Sequence, residues 1–148
     1  EHTPAGTPSS TAQNHALQLD KRSRKIQQFD YGDHWADIEG QGDQAIITWG
    51  STTGAVREAV ARLNHEGIND IRIVAIRLLA PVQPEKFAAA LTGVRRILVI
   101  EQSHSAQFYH YLCAHYELPP EREVFHRAGP LLMRAGELVE KIKSWSHA

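Results

Sequence analysis

Cysteine is nearly absent from this sequence: Cys113 is the only one among 148 residues. A disulfide framework is thereby excluded, as is an internal cysteine pair for a redox motif or a cluster. The apolar, helix-like surroundings of Cys113 predict a reduced, partly buried thiol. Charge of one sign is lacking too, with 16 Lys and Arg against 17 Asp and Glu and a formal net charge of −1. That balance excludes a general electrostatic hold on nucleic acid, which needs clustered, uncompensated cations. The run Lys21-Arg22-Ser23-Arg24-Lys25 is the local exception and reads as a solvated helix face or docking patch. No apolar run approaches the length of a membrane span, and the opening residues lack the charged-then-apolar order of a signal peptide. Neither nucleic acid nor a membrane is expected as a partner, and the cytoplasm is the default location.

What is present begins with a Pro-, Gly-, Ser- and Thr-rich stretch, Glu1 to Asn14, that reads as a linker or extended arm of a longer protein. His15 to Phe29 predicts a short basic helix with Leu17, Leu19, Ile26 and Phe29 as its apolar contacts. Residues 1–30 are thus set apart from a domain over 31–148. Within it, Trp35 to Glu39 allows a short strand, closed by the turn residues Gly40 to Asp43. Ala45 to Trp49, Ile71 to Leu79, Ile97 to Ile100 and Glu123 to His126 read as strands. Between and after them, Gly54 to Glu66, Pro84 to Leu91, Ser105 to Tyr116 and Leu132 to Trp145 read as helices. Apolar strands alternating with amphipathic helices predict a three-layer α/β domain with a mostly parallel sheet.

Right-handed crossovers would then place the turns after Trp49, Leu79 and Ile100 on the C-terminal edge of that sheet. In Gly50-Ser51-Thr52-Thr53-Gly54 a strand runs into a helix, and a helix N-terminus with nearby hydroxyls can hold an anion. The turn is neither G-x-G-x-x-G nor a P-loop ending in Gly-Lys-Ser/Thr. Thr53 as N-cap, with Gly50 and Gly54 giving a tight turn and close helix packing, accounts for the same residues. The turn after Ile100, Glu101-Gln102-Ser103-His104, fits a ligand crevice or a domain interface equally well. His104, His110, Cys113 and His115 are potential metal ligands, but their spacing is not that of a zinc site, and they alternate with aromatics as a packing face would. No nucleophile elbow, metalloprotease motif or telling acid pair is present.

Taken in order, the segments resemble a known family. The turn and helix "WGSTTGAVREA", the stretch "RLLAPVQPE" and the strand ending "VIEQ" are similar to the end of the alpha subunit of 2-oxoglutarate:ferredoxin oxidoreductase. That family belongs to the thiamine-diphosphate-dependent 2-oxoacid:acceptor oxidoreductases. The resemblance implies a transketolase-C-terminal-like domain, five-stranded with one antiparallel strand near Trp35 to Glu39, preceded by a linker from a pyrimidine-type domain. It implies an intact enzyme that uses thiamine diphosphate, Mg2+ and an iron–sulfur cluster, transfers the acyl group to coenzyme A and reduces ferredoxin. Its partners would be a beta subunit and the upstream domain. Gly32-Asp33-His34 and Gly42-Asp43-Gln44 both depart from the family's Gly-Asp-Gly metal–diphosphate signature at the third position. No catalytic, cofactor or metal residue is therefore assigned to this chain, and alone it is expected to be inactive. Gly50, Ser51, Thr52, Thr53, Gln102, Ser103 and His104 match loops facing the domain junction. A second reading is a free-standing module that binds a phosphate-bearing ligand, coenzyme A or a nucleotide.

Overall fold

The computed structural model describes residues 1–146, which fall into two compact units, the first Glu1–Gly32 and the second from Asp33 onward. The first unit is built on α1, Ala12–Gln28. This helix starts three residues earlier than the composition suggests, because the Thr11 side chain caps it by accepting from the Asn14 N–H at 3.3 Å. Its buried residues are Asn14 and Gln18, and Asn14 Nδ2 donates to the His2 carbonyl at 3.2 Å. Leu17, Leu19, Ile26 and Phe29, expected to be its apolar contacts, are all exposed.

The second unit is a sheet between two helical layers. Its strands are β1 (Ala36–Glu39), β2 (Gln44–Trp49), β3 (Ile71–Ile76), β4 (Arg96–Glu101) and β5 (Glu121–His126), in the order β1-β3-β2-β4-β5. All neighbours are parallel except β1, which runs antiparallel to β3. The expected mostly parallel five-stranded sheet with one antiparallel strand is thus observed. The helices are α2 (Thr52–His65), α3 (Pro84–Ala90), α4 (Gln107–His115) and α5 (Ala135–Ser146).

Strand alternation sorts the core into two layers. Ile46, Ile73, Leu98 and Ile100 pack with Val56, Leu63, Leu138 and Ile142 of α2 and α5. Ala45, Ile47, Ile97 and Val99 pack with Phe87, Phe108 and Leu112 of α3 and α4. The α2 helix ends in a Schellman motif: Gly67, at φ +92°, donates to Asn64 O, and Ile68 donates to Leu63 O. Glu58 and Arg62 pair at 2.8 Å on its outer face, as their spacing predicts.

The β3 strand is shorter than the apolar run Ile71 to Leu79. Its ladder stops at Ile76 because the Arg77 and Leu78 N–H groups both donate to the Trp35 carbonyl, at 2.9 and 3.0 Å. Two helices also start later than read, α4 at Gln107 and α5 at Ala135.

The Tyr111 hydroxyl donates to the carbonyl of Leu79. Burial, with Tyr116 alongside, pushes the Tyr111 pKa up from 10.0 to about 12. The unfolded chain loses this proton first, so its contribution is intact below pH 10 and is lost as pH rises toward about 12. Tyr111→Phe is expected to flatten that alkaline decline in urea unfolding measured across the window. An unchanged decline would assign it to other groups.

Candidate functional site: the C-terminal edge of the sheet

The chain leaves β2 for β3 on one side and later enters β4 on the other, so the connections diverge between β2 and β4. In an open α/β sheet this is where a ligand crevice opens, beyond the carboxyl ends of the strands. Gly50 to Thr53 follow β2, and Gln102 to His104 follow β4. The structure therefore brings both predicted loops to adjacent strand ends.

The crevice position is filled by the chain itself. Thr48 Oγ1 donates to Ile100 O at 2.9 Å, tying β2 to β4 below the edge. The Trp49 ring stacks on Phe108 with centroids 5.6 Å apart. Glu101, read from sequence as part of the polar turn, is instead fully buried, at 0% exposure. The alternation Ile97, Val99, Glu101 aims its side chain at the α4 layer, and the start of α4 receives it. Phe108 N–H donates to Glu101 Oε2 at 2.9 Å and Tyr109 N–H to Oε1 at 2.8 Å. Ser103 Oγ donates to the same carboxylate at 2.7 Å and accepts from Gln107 N–H at 3.1 Å.

Three amides that a bound phosphate would need are thus taken by the chain's own groups. Ala106, the residue before the helix, is left-handed at φ +51° and contributes no cap. Glu101 and Ser103 do that work from the preceding strand and loop. His104 is exposed beside them, and the Ser103 carbonyl lies 3.3 Å from His126 Nδ1.

At the other loop, Ser51 rather than Thr53 is the N-cap residue, and it makes no side-chain cap bond. Thr53 lies inside the helix because its N–H turns back to Gly50 O at 3.2 Å, while Thr52 Oγ1 donates to Trp49 O at 2.8 Å. Gly50 does supply the turn, with φ +60°. Gly54 does not supply close packing, since a Cβ there would meet nothing within 4 Å. A cleft of about 380 Å³ beside this turn is lined by Trp49, Gly50, Thr53, Arg57 and Arg77. Its two cations are already paired: Arg57 reaches Asp37 at 2.8 Å and Glu39 at 2.5 Å, and Arg77 reaches Asp37 at 3.2 Å. The Arg57 hydrogen bond holds the Asp37 carboxyl below its usual range.

Cys113, expected to be partly buried, is exposed and lines a cleft of about 570 Å³ with Phe87, His115 and Tyr116. His115 packs against Tyr111, with ring centroids 4.6 Å apart. Among the described residues no three His, Cys, Asp or Glu side chains are grouped to hold a metal ion. No helix among them is long and apolar enough to cross a membrane.

The second unit exposes four large apolar side chains among its described residues. Ile38 lies on β1, whereas Trp49, Leu131 and Leu132 lie at or beyond the C-terminal ends of the strands, exposed by 40%, 73% and 66%. Gln102 Nε2 donates to Leu131 O at 3.1 Å, so the leucines adjoin the predicted loop.

No family model matches the chain. It is 28% identical over 149 residues to the 2-oxoacid:ferredoxin oxidoreductase subunit alpha of Saccharolobus solfataricus, covering 97% of this chain and 23% of that protein. It is 26% identical over 129 residues to the subunit alpha of Aeropyrum pernix 2-oxoacid:ferredoxin oxidoreductase 2, covering 84% of this chain and 20% of that one. Among solved structures it is similar to 2-oxoglutarate:ferredoxin oxidoreductase from Magnetococcus marinus, with 2-oxoglutarate, coenzyme A and succinyl-CoA bound. The TM-score is 0.72 and the identity 29%, over 97% of this chain and 25% of that one. A split-gene transketolase, at TM-score 0.54 and 19% identity over 78% of this chain and 42% of that one, shares the fold. The chain spans about a quarter or less of the oxidoreductase relatives it matches. By sequence and fold together, it is a homologue of one part of the alpha subunits of 2-oxoacid:ferredoxin oxidoreductases.

Proposed function

We propose that this chain serves as the C-terminal junction domain of the alpha subunit of a 2-oxoglutarate:ferredoxin oxidoreductase. Its C-terminal sheet edge packs against the thiamine-binding core, and Gly50 to Thr53 and Gln102 to His104 are the junction loops. Residues 1–30 act as the linker and helix leading to a domain over 31–148. The observation that carries this reading is the state of the edge. Its strand ends are filled and capped by Trp49, Thr48, Glu101 and Ser103, and it offers Trp49, Leu131 and Leu132 outward beside the exposed His104 and Ser51.

The intact enzyme would oxidatively decarboxylate its 2-oxoacid on thiamine diphosphate with Mg2+. It would transfer the acyl group to coenzyme A and pass electrons through an iron–sulfur cluster to ferredoxin, with a beta subunit as partner. This chain's own residues do not supply the thiolates of an iron–sulfur cluster. It has a single cysteine, and its described residues hold no cluster of metal-ligating side chains. Its contribution is to shape and hold the assembly around the reacting core. Assayed alone with 2-oxoglutarate, coenzyme A and ferredoxin, the chain is expected to reduce no ferredoxin, and measurable turnover would contradict the reading.

A further inference from the structure

The loop between β5 and α5 holds two leucines outward on a fixed backbone. Leu131 and Leu132 are the two most exposed large apolar residues described, yet both of their carbonyls are hydrogen-bonded. Gln102 Nε2 donates to Leu131 O at 3.1 Å, and Arg127 Nη2 donates to Leu132 O at 2.7 Å. Arg127 is itself anchored by two bonds of 3.1 Å to the Glu137 carboxylate, which also accepts the Arg134 N–H at 2.9 Å. The next side chain, Met133, turns into the core at 5% exposure. Docking this pair would cost little conformational entropy, because the backbone that carries it is already ordered.

We infer that Leu131 and Leu132 form a pre-set apolar prong that seats in an apolar, carboxylate-rimmed pocket elsewhere on the alpha subunit. The inference rests on the junction reading above and names the partner of that same face. Charge selects the pocket's rim. Glu137 is the one acid of this anchor, bonded by Arg127 and by the Arg134 N–H, which leaves one cation in surplus beside the leucines. The same surplus disfavours a second copy of this chain, since a twofold contact through the prong would set like charges together. The relatives carry three-quarters or more of their length outside the matched part, which is ample surface for such a pocket.

The test uses the complete alpha subunit assembled with its beta subunit. Leu131, Ser51 or Ile38 is replaced, one at a time, by the photo-crosslinking residue p-benzoylphenylalanine, and crosslinked peptides are identified by mass spectrometry. Position 131 should crosslink to the same alpha subunit outside this chain, at a peptide containing Asp or Glu, with a yield roughly tenfold that at position 38. Arg134→Glu should lower that yield severalfold, and an unchanged yield would remove the carboxylate rim. Crosslinks from position 131 only within this chain, only to the beta subunit, or not at all would overturn the prong. If position 51 crosslinks outside the chain while 131 does not, the junction stands and the prong fails. If neither does, the junction reading itself fails. An unchanged thermal melt of each variant confirms that the yields report docking.

Discussion

Glu101→Ala is expected to lower the unfolding free energy of this chain by about 3–5 kcal/mol. The carboxylate is wholly buried and accepts from Phe108 N–H, Tyr109 N–H and Ser103 Oγ. Alanine would leave two backbone amides at the start of α4 without that acceptor, the Phe108 N–H buried and the Tyr109 N–H partly so. Each such orphan costs about 1–3 kcal/mol, and loss of the Ser103 bond adds to it. Glu101→Gln keeps the volume and one acceptor oxygen but turns an amide toward one of the N–H donors, so a loss of about 1–3 kcal/mol is expected. Urea unfolding of both variants provides the check. A loss below about 1 kcal/mol for Glu101→Ala would show that water or another side chain replaces the cap. The consequence reaches the sheet edge, because the loop that Glu101 and Ser103 pin at its base is the one that carries Gln102 and His104.

A comparable loss is expected at a position with no side chain at all. Gly42 sits at φ +128°, and a Cβ there would lie 1.9 Å from the Asp70 carbonyl oxygen and 2.3 Å from its carbon. The turn before β2 crosses the turn before β3 backbone against backbone, so neither side can yield by rotating a side chain. Gly42→Ala should cost at least about 3 kcal/mol, since it combines an unfavourable backbone conformation with a main-chain clash. Gly50→Ala supplies the milder case, because its φ of +60° lies in the left-handed region that an L residue can reach, and a Cβ there meets nothing within 4 Å. It should cost only the conformational part, about 1 kcal/mol. Equal losses at the two positions would refute the clash. Thermal or denaturant unfolding of the pair makes the comparison.

The parts of this molecule legible in its sequence are those decided by side-chain periodicity. Ala45 to Trp49 and Ile97 to Ile100 are apolar on both faces because each strand is covered by helices on both sides, and such a run reads as a buried parallel strand whatever surrounds it. The α2 face, with Val56, Ala59, Val60 and Leu63 buried, follows from helical spacing alone. What was illegible depends on backbone partners far along the chain. Leu78 and Leu79 look like strand residues, but Trp35 O captures the next amides and ends the ladder. Glu101 looks like a surface acid because its partners are main-chain N–H groups, which leave no mark in sequence. The alternation through Ile97 and Val99 was the available signal for its direction. Cys113 reads as partly buried from its apolar neighbours, whereas α4 buries Phe108 and Leu112 along one side and leaves Cys113 on another. Leu132 reads as the start of the last helix, whereas the helix begins at Ala135 and the leucine lies exposed in the loop before it.

As proposed, the C-terminal edge of this sheet is a protein-packing surface and not a phosphate site. Titration calorimetry of the chain with coenzyme A, and separately with pyrophosphate, addresses it most directly. The α4 amides are occupied by Glu101 and Ser103, and the cations beside the Gly50 turn are paired with Asp37 and Glu39. No saturable heat is therefore predicted with either compound. Saturable binding that is lost when Ser51 and Thr52 are both changed to Ala would contradict the account and restore the Gly50 turn as a phosphate loop.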